Sequence, residues 1–505
     1  MKTIYKMIII YIILFIISYS IMSMIKVGND PIGKKLVDAW IYERNNTSSH
    51  TIDINSPTMI YIQSLALSLF LFVIAATIVK MEWRTGVAIL AIVIIIFLSI
   101  VSPQSLIHNA IEWNLILFLI GSMSFAGILR EMGVFRYLSI KILNLSKGNV
   151  YMLIALVGLL ATALAAVVDE VTSIIYIVML ILEIGLILKI DVEPLIIFGV
   201  LATNTGSVAL PIGNPIGVYL LFTTKMNIST FIRYALPLSF LDYVVLLFLS
   251  LVVMRKYIDS IKDRLIKQRK LIETYITHHE IELNGSRKRR LIYYGLILLV
   301  LFIAMVSLND HIASFLSRVS DMIIDPHSFL AFIPYIFIAL SIAGIPLEDI
   351  PRHVERSVDW SSLMFFICLF ILSYSLTYTG VMTKLAYVFS AANSQTLLLP
   401  IMLLSSALLS AVLDNLSVIV TFTPVAQFLN SLGMVGFMIY FALLFGGVFG
   451  GNYTPIGSTA NIVAVSMTEK RKIRIKWSSW LKIAIVTTTS QILVAMLWLY
   501  LATFL

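Results

Sequence analysis

The chain has 505 residues, of which 59% are hydrophobic and only 12% charged, against roughly 25% charged in an ordinary soluble domain. So few charges cannot cover a water-exposed body of this length, and the apolar residues gather in blocks of about 20, the length of a bilayer-spanning helix. The formal charge of +9 then reads as Lys and Arg held in cytoplasmic loops, not as a nucleic-acid surface, while the single cysteine, Cys368, excludes an intrachain disulfide and a Cys-cluster metal site.

In chain order, the first apolar block runs from Tyr5 to Ile25. It is too long for a signal-peptide core and lacks a small-residue cleavage site, so a retained anchor is expected. A polar stretch, Lys26 to Ser56, carries Asn45-Asn46-Thr47-Ser48, a weak glycosylation pattern. Apolar blocks follow at 58–79, 85–102, 112–131, 151–190, 194–223 and 231–253. A basic linker over 255–290 holds eleven Lys/Arg and ends in Arg287-Lys288-Arg289-Arg290. The series resumes at 291–309, 328–345, 360–378, 396–430, 435–465 and 478–503. The domains expected are an N-terminal anchor with outer loop (1–57), a first transporter repeat (58–254), the linker (255–290) and a second repeat (291–505).

The second half repeats the first. Glu112-Trp113-Asn114 corresponds to Asp359-Trp360-Ser361, Gly133-Val134 to Gly380-Val381, Ala166-Val167-Val168-Asp169 to Ala411-Val412-Leu413-Asp414, and Pro211-Ile212-Gly213 to Pro455-Ile456-Gly457. The offset stays within 244 to 247 residues throughout. Blocks 151–190 and 396–430 are too long for one crossing: about 39 residues of helix would reach roughly 58 Å, twice the hydrocarbon core. Each must fold back, with Asp169 or Asp414 near the bend. Blocks 194–223 and 435–465 are interrupted by Gly, Pro and Asn, a break tolerated at membrane depth only where protein shelters it.

With the N-terminus inside and each fold-back returning to its own side, most of the 36 basic residues fall on the cytoplasmic face, the 255–290 linker among them. Each half then has five full crossings, so the halves are inverted. The fold class expected is an all-α polytopic membrane protein of two inverted repeats, each of five spans plus one hairpin, with an extra N-terminal span. The parity count is the same for a re-entrant hairpin and for two complete spans.

The chemistry-bearing residues concentrate at the bends and breaks. The first bend reads Asp169-Glu170-Val171-Thr172-Ser173 and the second Asp414-Asn415-Leu416-Ser417. The breaks read Thr203-Asn204-Thr205-Gly206-Ser207 on to Asn214-Pro215, and Gly450-Gly451-Asn452-Tyr453-Thr454 on to Ser458 and Asn461. Carboxylate, amide and hydroxyl oxygens suit a hard cation. Helix N-termini exposed by a break favour an anion, and freed carbonyls favour a cation. The plain alternative is that 168–173 is a surface loop between two full spans. It is opposed by the lack of Gly, Pro or a polar run at Asp169 and by the return of the same Asp in the second half.

Ala411 to Thr423 with Gly450 to Val465, together with Glu112-Trp113-Asn114 and Asn204-Thr205-Gly206 through Ile212-Gly213-Asn214-Pro215, resembles the arsenite-permease/NhaD-type antiporter family. That family belongs to the ion transporter superfamily, which also holds citrate and dicarboxylate carriers. The resemblance covers about residues 58–503 and implies re-entrant hairpins whose tips meet the broken helices near the midplane, with elevator-like alternating access and commonly a homodimer. It implies a site from Asp169, Thr172, Ser173, Asn204, Thr205, Asn214, Asp414, Asn415, Ser417, Asn452, Thr454 and Ser458, to which the motifs themselves add Glu170, Gly206 and Asn461 as candidates. Three positions depart from the family pattern: Glu170 stands where Asn is frequent, Ser207 where Gly is, and Asn214 where Asp is.

The function expected is secondary active transport of an inorganic ion coupled to protons or sodium, with a citrate- or dicarboxylate-type anion carrier as the alternative. Neither motif contains Lys or Arg, which disfavours a bare polyanion site. No HExxH, GxSxG or phosphate loop points to an enzyme, and no cofactor beyond the coupling ion, no resident metal and no nucleic-acid partner is expected; the partners are the lipid bilayer and a small inorganic ion or organic anion. Asp242, inside block 231–253, is a functional candidate by depth alone, with a helix-packing hydrogen bond as the bland alternative.

Overall fold

The computed structural model describes residues 2–44, 53–146, 149–224, 226–267, 286–392 and 394–503. The sequons at Asn45 and Asn46 and linker residues 268–285 lie outside them. All regular elements among the described residues are helices.

The first is α1 (Lys2–Met24), followed by α2 (Pro31–Glu43). The sequence reading left 26–56 as polar connection, yet α2 carries its own signature: Pro at N1 and an apolar stripe whose Leu36 and Trp40, one turn apart, are buried. Next come α3 (Pro57–Val79) and α4 (Arg84–Phe97). The span expected over 85–102 stops after 14 residues, because Ser99 turns left-handed at φ 52° and the Ile100 N–H closes back on the Ile95 carbonyl at 3.0 Å; Ser102 before Pro103 then caps a new turn. Then follow α5 (Trp113–Glu131) and α6 (Val134–Leu145). Block 151–190 divides into α7 (Val150–Val167) and α8 (Glu170–Leu188). Block 194–223 divides into α9 (Glu193–Ser207) and α10 (Pro215–Thr223). The first half closes with α11 (Ile228–Val253) and the polar α12 (Arg255–Lys267).

In the second half, α13 (Ser286–Ser307) takes Arg287 to Arg290 into its first turn, so the end of the linker is the head of a membrane helix. There follow α14 (Asn309–Ser320), α15 (Pro326–Leu340), α16 (Ile350–Ser357), α17 (Trp360–Tyr378) and α18 (Val381–Ser390). Block 396–430 divides into α19 (Gln395–Ser410) and α20 (Asn415–Ser431), and block 435–465 into α21 (Met438–Gly450) and α22 (Thr459–Lys470). The last is α23 (Trp477–Ala502).

Among the described residues nine helices are long and apolar enough to cross a bilayer: α1, α3, α5, α7, α11, α13, α15, α17 and α23, α13 from Arg287 and α15 with the turn after it. Large apolar side chains such as Phe97, Phe240, Leu408 and Leu497 are exposed on the outside of the protein, a surface that only lipid satisfies. The chain is a polytopic membrane protein.

Two compact units can be drawn. The first combines Met1–Glu112, Trp360–Ser406 and Leu416–Leu443. Here α1 packs along α3, and the fully buried Lys384 of α18 donates from Nζ to the Met22 carbonyl at 2.8 Å. A cation meeting orphan carbonyls at a helix C-terminus is stabilised by both the hydrogen bond and the helix dipole. Arg84, at the head of α4, donates to Ser362 Oγ at 2.8 Å and lies 5.0 Å from the Phe365 ring centroid. Cys368 is a packed core residue of α17.

The second unit combines Trp113–Asp359, Ala407–Asn415 and Leu444–Leu505. In it α7 packs on both α8 and α9, α9 on α11, and α11 on α23. The repeat seen in the sequence recurs in local geometry. Gly133 and Gly380 each end a helix and begin the next at left-handed φ values of 82° and 86°, a conformation that favours glycine. Trp113 and Trp360 each open a helix and are exposed, as interface anchors are.

Candidate functional site

The first bend is built by capping. Asp169 is extended, and one carboxylate oxygen accepts the Thr172 N–H at 2.8 Å, starting α8. The Thr172 hydroxyl lies beside the same carboxylate. Ser173 donates from Oγ to the Ala161 carbonyl at 3.3 Å, which ties α8 to α7. Glu170 is 3% exposed, beside Ser207 and within electrostatic reach of Asp414 and Asp169. Asp169 Oδ2 and Glu170 Oε2 are buried and accept no hydrogen bond from the described residues.

The two breaks use one solution with different residues. After α9 the chain makes a single turn over Pro211–Gly213, and Asn214 then caps α10. Its Oδ1 accepts the Gly217 N–H at 2.6 Å while its Nδ2 donates to the freed Ser207 carbonyl at 2.7 Å. After α21 comes a turn over Gly451–Tyr453. There Ser458 caps α22 by accepting the Asn461 N–H at 3.3 Å, and Asn461 Nδ2 donates to the carbonyls of Gly451 (2.9 Å) and Thr454 (2.8 Å). One asparagine in the first half does what a serine and an asparagine share in the second. A Cβ on Gly206 would lie 2.1 Å from the Thr162 carbonyl oxygen, and one on Gly450 would lie 2.3 Å from that of Ala407. Each broken helix thus lies directly on the backbone of its neighbouring hairpin arm.

Asp414 is buried and accepts from Thr459 Oγ1 at 3.3 Å; Asn415 beside it is buried. Thr454 donates from Oγ1 to the Ala411 carbonyl at 2.5 Å, pinning the second break to the approach to Asp414.

The centre of the unit is an amide hub. Asn204, fully buried, donates from Nδ2 toward Asn452 Oδ1 (2.7 Å), Asn461 Oδ1 (2.9 Å) and Ser458 Oγ (3.1 Å). Ser458 Oγ donates to Asn461 Oδ1 at 2.7 Å. The amide orientations follow from the network. Asn461 Nδ2 is committed to two carbonyls, so its oxygen faces Asn204, and Asn204 presents its nitrogen; turning Asn452 over would then set donor against donor. This leaves Asn452 Nδ2 buried with no acceptor among the described residues, a spare donor of the kind a ligand oxygen satisfies.

Asp169, Glu170, Ser173, Asn204, Gly206, Asn214, Asp414, Asn415, Asn452, Thr454, Ser458 and Asn461 all lie in this second unit, and Ser417 falls in the first. Thr205 is turned from the hub: its hydroxyl donates to the Leu201 carbonyl at 2.7 Å and accepts Gln491 Nε2 at 2.8 Å. Sequence reasoning missed Gln491 and Trp480 on α23. Trp480 Nε1 donates to the Asn452 carbonyl at 2.9 Å. The signal was present, since Trp480, Ala484, Thr487, Thr488, Gln491 and Ala495 form one buried stripe at helical spacing. Among the described residues no three His, Cys, Asp or Glu side chains gather closely enough to cage a metal ion.

In a membrane protein, interrupted helices that meet through buried amides mark a solute transporter. More narrowly, the chain belongs to the citrate transporter family, whose pattern matches residues 69–446. It is 27% identical over 433 residues to an uncharacterized transporter of Mycobacterium tuberculosis, covering 82% of this chain and 93% of that protein. It is 24% identical to the 46 kDa membrane protein of Mycobacterium leprae, over 83% of this chain and 94% of that one. It is also 25% identical to the human P protein, over 81% of this chain and 56% of the longer human chain.

Proposed function

We propose that this protein is a secondary active transporter that moves a small ion by alternating access, driven by protons or sodium bound at Asp169, Glu170 and Asp414. The carrying observation is Glu170, 3% exposed and within reach of two further carboxylates, in a site whose motifs contain no Lys or Arg. Burying one unpaired carboxylate costs several kcal/mol, and neighbouring like charges add to it. Such a group of acids is stable when cations or protons neutralise it, so the coupling ion is a cation. The cargo in this reading is an inorganic ion carried through oxygen and amide groups, as in arsenite-permease or NhaD-type carriers. Inverted halves, with the N-terminus and the 255–290 linker cytoplasmic, supply the alternation.

A second reading, a citrate- or dicarboxylate-type anion carrier, is favoured by the family match and by the spare Asn452 Nδ2 donor. The breaks also start α10 and α22, whose N-termini attract an anionic oxygen.

The test is flux into proteoliposomes under imposed pH or sodium gradients, with sodium, arsenite and citrate offered in turn. Transport of one of these should follow one gradient; independence from both would end the coupled-carrier reading. Asp414→Asn is expected to insert and fold yet lose gradient-driven uptake. Uptake by that variant equal to wild type would remove Asp414 from the coupling site.

A further inference from the structure

We propose that Asp242 is a second carboxyl of the transport cycle, one that takes up and releases a proton, and that Gln491 links it to the broken helix at Thr205. The inference rests on the reading of the chain as a cation-coupled transporter.

Asp242 lies near the middle of α11, and its side chain is fully buried. Neither carboxylate oxygen accepts a hydrogen bond from the described residues. A helix-packing role would show at least one donor on the carboxylate, and none of the described residues supplies one. The other acid buried among these helices behaves differently: Glu193 accepts the Lys476 N–H at 2.7 Å and so serves the head of α23.

The elements packed against α11 are α7, α9, α12, α23 and, at its first turn, α13. Charged groups on α9 and α23 are Glu193 and Lys482, and Arg233 stands on α11 itself; α7 carries none, α12 holds Arg255, Lys256, Asp259, Lys262 and Arg264 among its charges, and α13 holds Arg287, Lys288, Arg289 and Arg290. Asp242 is fully buried, and among the described residues none of these groups forms an ion pair with it. An isolated carboxylate there costs several kcal/mol, whereas the neutral acid costs little. A hard metal cation of the calcium or magnesium kind would require about six oxygen ligands. A proton requires one acceptor at most, and Gln491 Oε1 is buried and receives no donor from the described residues.

Gln491 also gives the group its route to the site. Its Nε2 donates to the Asp242 backbone carbonyl at 3.3 Å and to Thr205 Oγ1 at 2.8 Å. One turn earlier on α11, Ser239 Oγ donates to the Thr205 carbonyl at 2.7 Å. The end of α9, which presents Asn204 to the hub, is therefore held by the same two helices that enclose Asp242. The step itself is simple: a proton from water binds a carboxylate oxygen, neutralising the acid, and returns to water on the opposite side. No bond to the cargo forms or breaks.

The test uses the full-length protein in proteoliposomes, wild type and Asp242→Asn. Two readouts are taken: the carboxylic C=O band in the infrared difference spectrum of a pH step, and proton influx reported by a trapped pH dye under a citrate or sodium gradient. Wild type should show the band and the influx, and Asp242→Asn, eluting as a folded protein, should lose one component of the band, the rest belonging to Asp169, Glu170 and Asp414, together with the influx. A band unchanged in Asp242→Asn, or an undiminished proton influx, overturns the assignment. If Asp242→Asn does not fold, wild type with isotopically labelled aspartate and Gln491→Leu decide. A band that shifts in Gln491→Leu supports the proposal, and one that does not shift sinks it. If wild type carries no gradient-driven flux at all, the transport reading has failed, and the infrared band alone then decides whether Asp242 binds a proton.

Discussion

Gly206→Ala and Gly450→Ala are each expected to destabilise the protein by about 2 kcal/mol or more, toward the upper part of the range for overpacked cores. The added methyl of Gly206→Ala would sit 2.1 Å from the Thr162 carbonyl oxygen and 2.4 Å from its Cα. That of Gly450→Ala would sit 2.3 Å and 2.4 Å from the same atoms of Ala407. Real Cβ atoms essentially never come closer than 3.0 Å to such neighbours, and backbone atoms cannot rotate out of the way as a side chain can. The broken helix must therefore lift off its hairpin arm. In the first half that displaces Asn204, two residues earlier, from the hub, so transport should fall with stability. Gly86→Ala is the control. Gly86 lies inside α4 with nothing within 4 Å of its added Cβ, and there alanine should be neutral or stabilising by about 0.5–1 kcal/mol. Melting curves in detergent check all three. Unfolding of Gly206→Ala or Gly450→Ala at the wild-type temperature would mean that the close approach is not needed. A large loss in one and none in the other would break the local equivalence of the two halves.

Much of this architecture could be read from the chain because membrane helices leave so few ways to satisfy a backbone. Block 151–190 had to bend because one helix of that length overshoots the bilayer, and it does bend, at Asp169. Pro211, Gly213 and Pro215 had to interrupt their block, and they do. The short helices were harder. Helix α2 lies in a polar stretch and α18 in none of the apolar blocks, yet Trp40 Nε1 of α2 donates to the Tyr378 carbonyl at 3.1 Å, and Lys384 of α18 caps α1. Their stability comes from tertiary partners more than 300 residues away, which no local window contains. The same distance hides the hub. Asn204 meets Asn452, Ser458 and Asn461 across 248 to 257 positions, and nothing in the sequence says which amide faces which. Composition could nominate oxygen-rich motifs; it could not separate Thr205, turned toward Gln491, from Asn204, turned toward the hub.

Asn204→Ala should be the most damaging single change in the hub, costing about 2–4 kcal/mol and abolishing uptake. Asn204 donates from the first break into the second, and among the described residues its removal leaves Asn452 Oδ1 buried without a donor and Asn461 Oδ1 with Ser458. A buried acceptor left unpaired costs its full desolvation, about 1–3 kcal/mol, and the vacated side-chain volume adds to that. Asn204→Asp separates donation from shape. Aspartate fills nearly the same space but offers no N–H, so it points an acceptor at two acceptors and should transport no better than alanine. Thermal unfolding and proteoliposome uptake, measured on both variants, give the comparison. If Asn204→Asp retained uptake where Asn204→Ala lost it, volume and not hydrogen bonding would hold the two breaks together. The hub would then be packing that happens to be polar, and the spare donor on Asn452 would lose its claim as a ligand contact.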